Sequence, residues 1–185
     1  MAAARLILAS ASPQRRAILE QIGVAFEVRI PNADELADGP AVEVALENAF
    51  RKASTIAPAE LPVLGVDTVV SLGRRIFGKP RDAADAAQML ETLAGRTHVV
   101  VSGVCLLDGE RVRTAAAQTA VEFRTMDRPM VDGYVRTGEW QGRAGAYAIQ
   151  GRGATLVNRI EGDYLNVVGL PVPALLDLAP ELIAD

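Results

Sequence analysis

Apolar residues fall in short runs separated by polar and glycine-rich breaks, and the spacing within each run predicts alternating strands and helices. The run Arg5–Ala9 (RLILA) predicts a buried strand. Ser10-Ala-Ser-Pro13 follows as a turn, in which Ser12 can cap a helix and Pro13 can open it, where a missing N–H costs nothing. Ala17, Ile18, Gln21 and Ile22 keep helical spacing until Gly23 stops it. Phe26–Ile30 alternates as a second strand, Pro31–Pro40 is a polar loop carrying Asp34 and Glu35, and Ala41–Ile56 predicts an amphipathic helix bearing Val44, Phe50 and Lys52.

Val63–Leu72 predicts a strand whose apolar character breaks at Asp67-Thr68, and Gly73-Arg74 turns it into Arg75–Phe77. Gly78-Lys79-Pro80 interrupts the pattern, and Asp82 caps an alanine-rich helix that ends near Gly95. Thr97–Leu107 and Arg111–Arg124 read as strands of a hairpin joined at Asp108-Gly109. Asp127 caps a shorter helix to about Thr137. Gly142–Gly153 is glycine-dense, Ala154–Ile160 predicts a strand, and Gly169-Leu-Pro171 leads into a C-terminal helix. The order β-α-β-α-β-β-α-β-β-α-β-α is a mixed α/β plan, a central sheet with flanking helices. Without a repeat, linker or low-complexity stretch, residues 1–185 read as a single domain.

Composition narrows the class. With 185 residues, 50% hydrophobic and 23% charged, the chain can bury one sizeable core and lacks the signature of a disordered protein. Apolar runs such as Val63–Val66 and Val99–Val101 fall far short of the ~18 residues of a membrane span. Met1–Leu8 is short, is interrupted by Arg5 and does not read as a leader, so the expected compartment is the cytoplasm. Cys105, the single cysteine, excludes a disulfide framework.

A net charge of -4 argues against broad nucleic-acid binding but leaves room for a small anion in a locally basic pocket. Of the 19 basic residues 17 are arginines, and the two lysines are Lys52 and Lys79. Where arginine serves for general charge, a surviving lysine marks a place that wants a compact ammonium.

Four segments can carry chemistry. Ser10–Arg16 (SASPQRR) lies between a strand and a helix, where amide groups, two hydroxyls and Arg15 could converge on a phosphate; taken alone, it reads more readily as an ordinary capped turn with solvent-facing arginines. Asp67 ends an apolar stretch, where a carboxylate is costly unless paired, hydrogen-bonded or ligating a metal, and strand ends are common ligand sites; a turn-forming Asp is the alternative. Lys79 sits in a tight turn, while Glu35 and Lys52 have solvated alternatives. In Gly142–Gly153 the glycines permit close backbone approach, and Gln150 offers a planar donor–acceptor pair. No phosphate-binding G-x-x-x-x-G-K-[ST] loop and no G-x-G-x-x-G occurs. His98 and Cys105 read as structural strand residues, Trp140 as core or rim.

Together, S-A-S-P-Q-R-R, G-V-D-T, G-K-P, A-G-A-Y-A-I-Q-G-R-G and V-V-G-L-P, in this order, resemble the Maf family of nucleoside triphosphate pyrophosphatases, also called the septum formation inhibitor family. The likeness runs from Leu6 to about Leu178. It implies a fold like that of the inosine triphosphate pyrophosphatases, two lobes around a cleft. It also implies hydrolysis of a nucleoside triphosphate to the monophosphate and pyrophosphate with a divalent cation, Mg²⁺ or Mn²⁺. By resemblance Asp67 is the proton acceptor, and Arg15 and Lys79 join it in catalysis. Ser10, Ser12, Lys52 and Glu35 bind substrate, Asp67 and Glu35 hold the metal, and Gln14, Thr68 and Gln150 set base choice.

Thr68 and Gln150 match the subgroup acting on dTTP and UTP; the sister subgroup acting on 7-methyl-GTP has Gln and Glu there. The chemistry agrees with that division. Uracil and thymine present O4 beside N3–H, which one amide can match, whereas guanine presents adjacent donors that suit a carboxylate. Gln14 departs from the Arg usual in the dTTP/UTP subgroup, Val66 from Ala or Ser, and Ala148 from Gly. The rival readings are a 7-methyl-GTP enzyme and a non-catalytic, nucleotide-binding regulator of septum formation. A homodimer accords with the resemblance; a nucleic-acid or membrane partner is not expected.

Overall fold

The structure, a computed structural model, describes residues 4–183, so the first three residues of the Met1–Leu8 segment lie outside the described range. Among the described residues seven strands form one mixed sheet: β1 (Leu6–Ala9), β2 (Phe26–Arg29), β3 (Val63–Leu72), β4 (Arg75–Phe77), β5 (Thr97–Asp108), β6 (Arg111–Phe123) and β7 (Val157–Glu161). Their order is β2-β1-β3-β5-β6-β7, with β4 also paired to β3. β1 runs parallel to β2 and β3, and the other pairings are antiparallel. The helices are α1 (Pro13–Gln21), α2 (Ala41–Ser54), α3 (Ala83–Leu93), α4 (Arg128–Val135), α5 (Tyr164–Val168) and α6 (Val172–Leu178). The expected α/β architecture is therefore present.

Side-chain alternation along β3 divides its surroundings. On one face Leu64 and Val66 pack with Val104 and Leu106 of β5 beneath residues of α1 and α6. Further along the same face Val70 and Val100 join the core under α3 and α4. Between these two apolar packs lie Thr68 and Ser102, directly opposite each other in register, with hydroxyls 2.8 Å apart. The two lobes thus share one sheet, and a polar rung marks the gap between them.

The opposite face belongs to α2, whose buried stripe is Val44, Ala45, Asn48, Ala49, Lys52 and Ala53; Phe50 points outward. The helix lies against the sheet because two strand positions lack side chains. A Cβ on Gly65 would stand 2.1 Å from the Ala49 carbonyl oxygen, and one on Gly103 2.3 Å from that of Ala45.

β3 also has a divided edge. β1 pairs with Val63 to Gly65 and β4 with Val70 to Leu72. Between them, Val66 to Val69 has no strand neighbour on that side among the described residues.

Two expectations need correction. The segment from Ala154 does not begin as strand: Arg152–Leu156 is a 3-10 turn and β7 starts at Val157. Glu139 causes this by accepting the Arg152 and Gly153 amides at 3.1 and 3.3 Å, curling the chain before it can pair. The short helix α5 was not expected at all; Asp163 caps it by accepting the Leu165 amide at 2.8 Å.

Candidate active site

The open edge of β3 is the floor of a cleft of 720 Å³. Because no strand covers Val66 to Val69, groups from both faces of the sheet reach the same space. All ten residues singled out from the sequence line it: Ser10, Ser12, Gln14, Arg15, Glu35, Lys52, Asp67, Thr68, Lys79 and Gln150.

Asp67 projects toward α2, which offers two partners one helical turn apart, the i,i+4 spacing that stacks side chains on one face. Lys52 Nζ donates to Asp67 Oδ1 at 2.6 Å and Asn48 Nδ2 donates to Oδ2 at 3.0 Å. Lys52 also bridges to Glu35 Oε1 at 2.9 Å, so one ammonium joins two carboxylates. Burial by itself would lift the Asp67 carboxyl, yet the charge and hydrogen bond of Lys52, with Asn48 and Arg15, hold it below its ordinary value. Asp67 is therefore an ionised acceptor, although it is only 5% exposed.

Arg15 approaches from the other side. Its Nε donates to the Gly169 carbonyl at 2.9 Å, one terminal nitrogen to Ser10 Oγ at 3.0 Å and the other to Thr68 Oγ1 at 3.2 Å. Three bonds from five N–H groups lock the fork while leaving donors over. Burial pulls its pKa down, against the opposing charges of Asp67 and Glu35.

The sequence suggested that the amides at the start of α1 could cradle a phosphate. Pro13 has none, and those of Ser12 and Arg15 are bound by the hydroxyls of Ser10 and Ser12. Ser12 is the helix cap, and its hydroxyl also donates to Gln14 Oε1 at 3.2 Å. The guanidinium is the stronger anion donor of this segment.

The far wall is built from loops. Lys79 and Gln150 are exposed, and the Gly145 amide donates to the Gly78 carbonyl at 3.1 Å, tying their two segments together. Gly145 and Ala146 both take left-handed φ, 69° and 62°, a conformation costly for the alanine. Behind them, buried His98 shares a 2.9 Å hydrogen bond with Tyr147 Oη, and both rings pack edge-on to Phe123. His98 and Cys105 are buried in β5, and half-buried Trp140 packs at the rim of the core.

Sequence reasoning missed Asn48, Ser102 and the Gly169 carbonyl. A signal existed for Asn48: it and Lys52 are the two polar residues within the otherwise apolar buried stripe of α2.

Among the described residues no cluster of three or more His, Cys, Asp or Glu side chains could hold a metal ion alone. Glu35 and Asp67, brought together by Lys52, offer the oxygen donors that a Mg²⁺-type ion takes, commonly one or two carboxylates with water and phosphate oxygens.

A cleft at an open strand edge, lined by two carboxylates, two lysines and a fixed guanidinium, is chemically suited to a phosphate-bearing anion. Comparison with known proteins gives the family. The family model described as Maf-like protein matches residues 5–182, and the chain belongs to this family. Similar relatives include proteins named dTTP/UTP pyrophosphatase from Gloeobacter violaceus, 50% identical over 96% of this chain and 95% of the relative, and from Pyrococcus furiosus, 40% identical over 94% and 93%. A protein of that name from Salmonella typhimurium is 43% identical over 94% of this chain and 90% of its own length. No helix among the described residues is long and apolar enough to cross a membrane.

Proposed function

We propose that the chain hydrolyses dTTP and UTP to the nucleoside monophosphate and pyrophosphate. The observation that carries this reading is Asp67, an ionised carboxylate held by Lys52 and Asn48 at the open edge of β3, within a cleft that Arg15 and Lys79 also line.

Arg15, Lys52 and Lys79 offset the charge of the triphosphate and of the departing pyrophosphate. Asp67 accepts the proton of a water that attacks the α-phosphorus. The new bond joins water oxygen to that phosphorus, and the bond broken is its bridge to the β-phosphate, so the β–γ linkage survives. Glu35 and Asp67 would hold Mg²⁺ or Mn²⁺, which supplies further charge neutralisation at the phosphates. Gln150, exposed in the cleft, suits O4 and N3–H of uracil or thymine. Thr68 contributes by steadying Arg15, the partner its hydroxyl meets at 3.2 Å. The names of the relatives support the same substrates.

Turnover of UTP, dTTP and 7-methyl-GTP in ¹⁸O-labelled water tests the reading. Label in the monophosphate, with UTP and dTTP preferred, is the expected result. Orthophosphate as first product rejects the reaction, preference for 7-methyl-GTP rejects the base assignment, and binding without turnover favours a regulator.

A further inference from the structure

We infer that Asn48 is a positioning residue that latches the acidic loop onto α2 and sets the orientation of Asp67, so that the two carboxylates of the site are held as one unit. This inference rests on the proposed hydrolysis for its catalytic consequence, but its geometric content stands on its own.

The loop from Pro31 to Pro40 has no helix or strand to fix it, yet it carries Glu35. Asn48, 1% exposed, grips the next residue twice: its Oδ1 accepts the Leu36 amide at 2.7 Å and its Nδ2 donates to the Leu36 carbonyl at 3.0 Å. The remaining Nδ2 hydrogen goes to Asp67 Oδ2. Both amide hydrogens are thus used, and the orientation of the amide is settled chemically, since a carboxylate can only accept from the NH₂ side. Lys52, four residues on, repeats the pattern in charge by touching Glu35 and the other oxygen of Asp67. α2 therefore presents two clamps, each bridging the acidic loop to β3. Lys52 supplies the charge, while Asn48 supplies direction, fixing the loop backbone and the rotation of the Asp67 carboxylate.

Neighbours that orient ligating carboxylates typically matter by 10–100-fold in metal affinity or activity. Asn48→Leu keeps side-chain volume and removes all three bonds. In the full-length protein, hydrogen exchange should show the Leu36 amide deprotected while amides of α2 and β3 stay protected. Mn²⁺ binding followed by water proton relaxation should weaken, and kcat for UTP should fall roughly 10–100-fold with a smaller change in KM. Asn48→Asp separates the two tasks and serves if the leucine variant does not fold. It keeps an acceptor for the Leu36 amide, so that amide stays protected, but it removes both donors and sets a like charge beside Asp67, so kcat falls. Wild-type Mn²⁺ affinity and kcat in Asn48→Leu, or unchanged Leu36 protection in it, would overturn the inference, as would wild-type kcat in Asn48→Asp. A wild-type protein that releases no pyrophosphate, yet shows the expected exchange and Mn²⁺ behaviour, would sink the proposed reaction and leave the latch standing.

Discussion

The two walls of the cleft are built on different principles. On the wall formed by α1, α2 and β3, the charged side chains Arg15, Lys52 and Asp67 are buried and bound to protein partners before any ligand arrives. On the wall formed by the Gly78–Pro80 turn and the Gly142–Gly153 loop, Lys79 and Gln150 stand in solvent. Burial makes the first wall costly to disturb, because removing one partner strands a charge away from water. The exposed side chains of the second wall can be exchanged without stranding a buried charge. The difference separates charges fixed by the fold from groups left open to whatever enters the cleft.

Substitutions can break or sharpen this contrast. The largest effects belong to the buried wall: Asp67→Asn and Lys52→Arg should each cut pyrophosphate release by roughly 10²-fold or more, one by removing the acceptor, the other by forcing a planar fork into a space shaped for an ammonium. Near-native turnover in Asp67→Asn would sink its assignment as acceptor.

Next comes the buried support of the second wall. Desolvation pushes His98 down to about 4 from an ordinary 6.5. Between those values the unfolded chain binds more protons than the folded one, so the stability linked to the neutral ring is complete above 6.5 and lost as pH falls toward 4. The loss is on the order of 3 kcal/mol, and His98→Gln should flatten that part of the curve in urea unfolding measured from pH 7 to pH 4.

Smaller effects belong to the exposed wall. Gln150→Glu should lower kcat/KM for UTP about 10-fold or more by placing an acceptor against O4. Lys79→Arg should cost only a few-fold, since an exposed turn can accommodate the longer group. Equal losses in Lys52→Arg and Lys79→Arg would erase the contrast between the walls.

The same contrast explains what could be read from the sequence. Ser12-Pro13, Asp82 and Asp127 announced their helices because capping is local chemistry, and each caps as expected. Asp67-Thr68 was visible as a polar break in an apolar strand. That its two members face opposite sides of the sheet follows from the period of two, but their access to one cleft depends on where β1 stops and β4 begins, which is a matter of tertiary pairing. Helix α5 spans five residues, too short for a periodic signal, although Asp163 and Gly169 bracket it. Asn48 was obscured because a single Asn on a helix has no motif, and its partner Leu36 lies in a loop twelve residues away.

The contact of α2 with the sheet at Gly65 and Gly103 has a consequence for how this site can vary. Most active-site spacings are set by atoms that touch, and they drift when a side chain shrinks. Here the stand-off between the helix carrying Lys52 and the strand carrying Asp67 is set by two missing carbons, with backbone resting on backbone. No rotamer change can absorb an added methyl group, so the ruler has a hard zero. The ion pair tolerates no growth at Gly65, two residues before Asp67, or at Gly103, which faces Asp67 across the β3–β5 ladder.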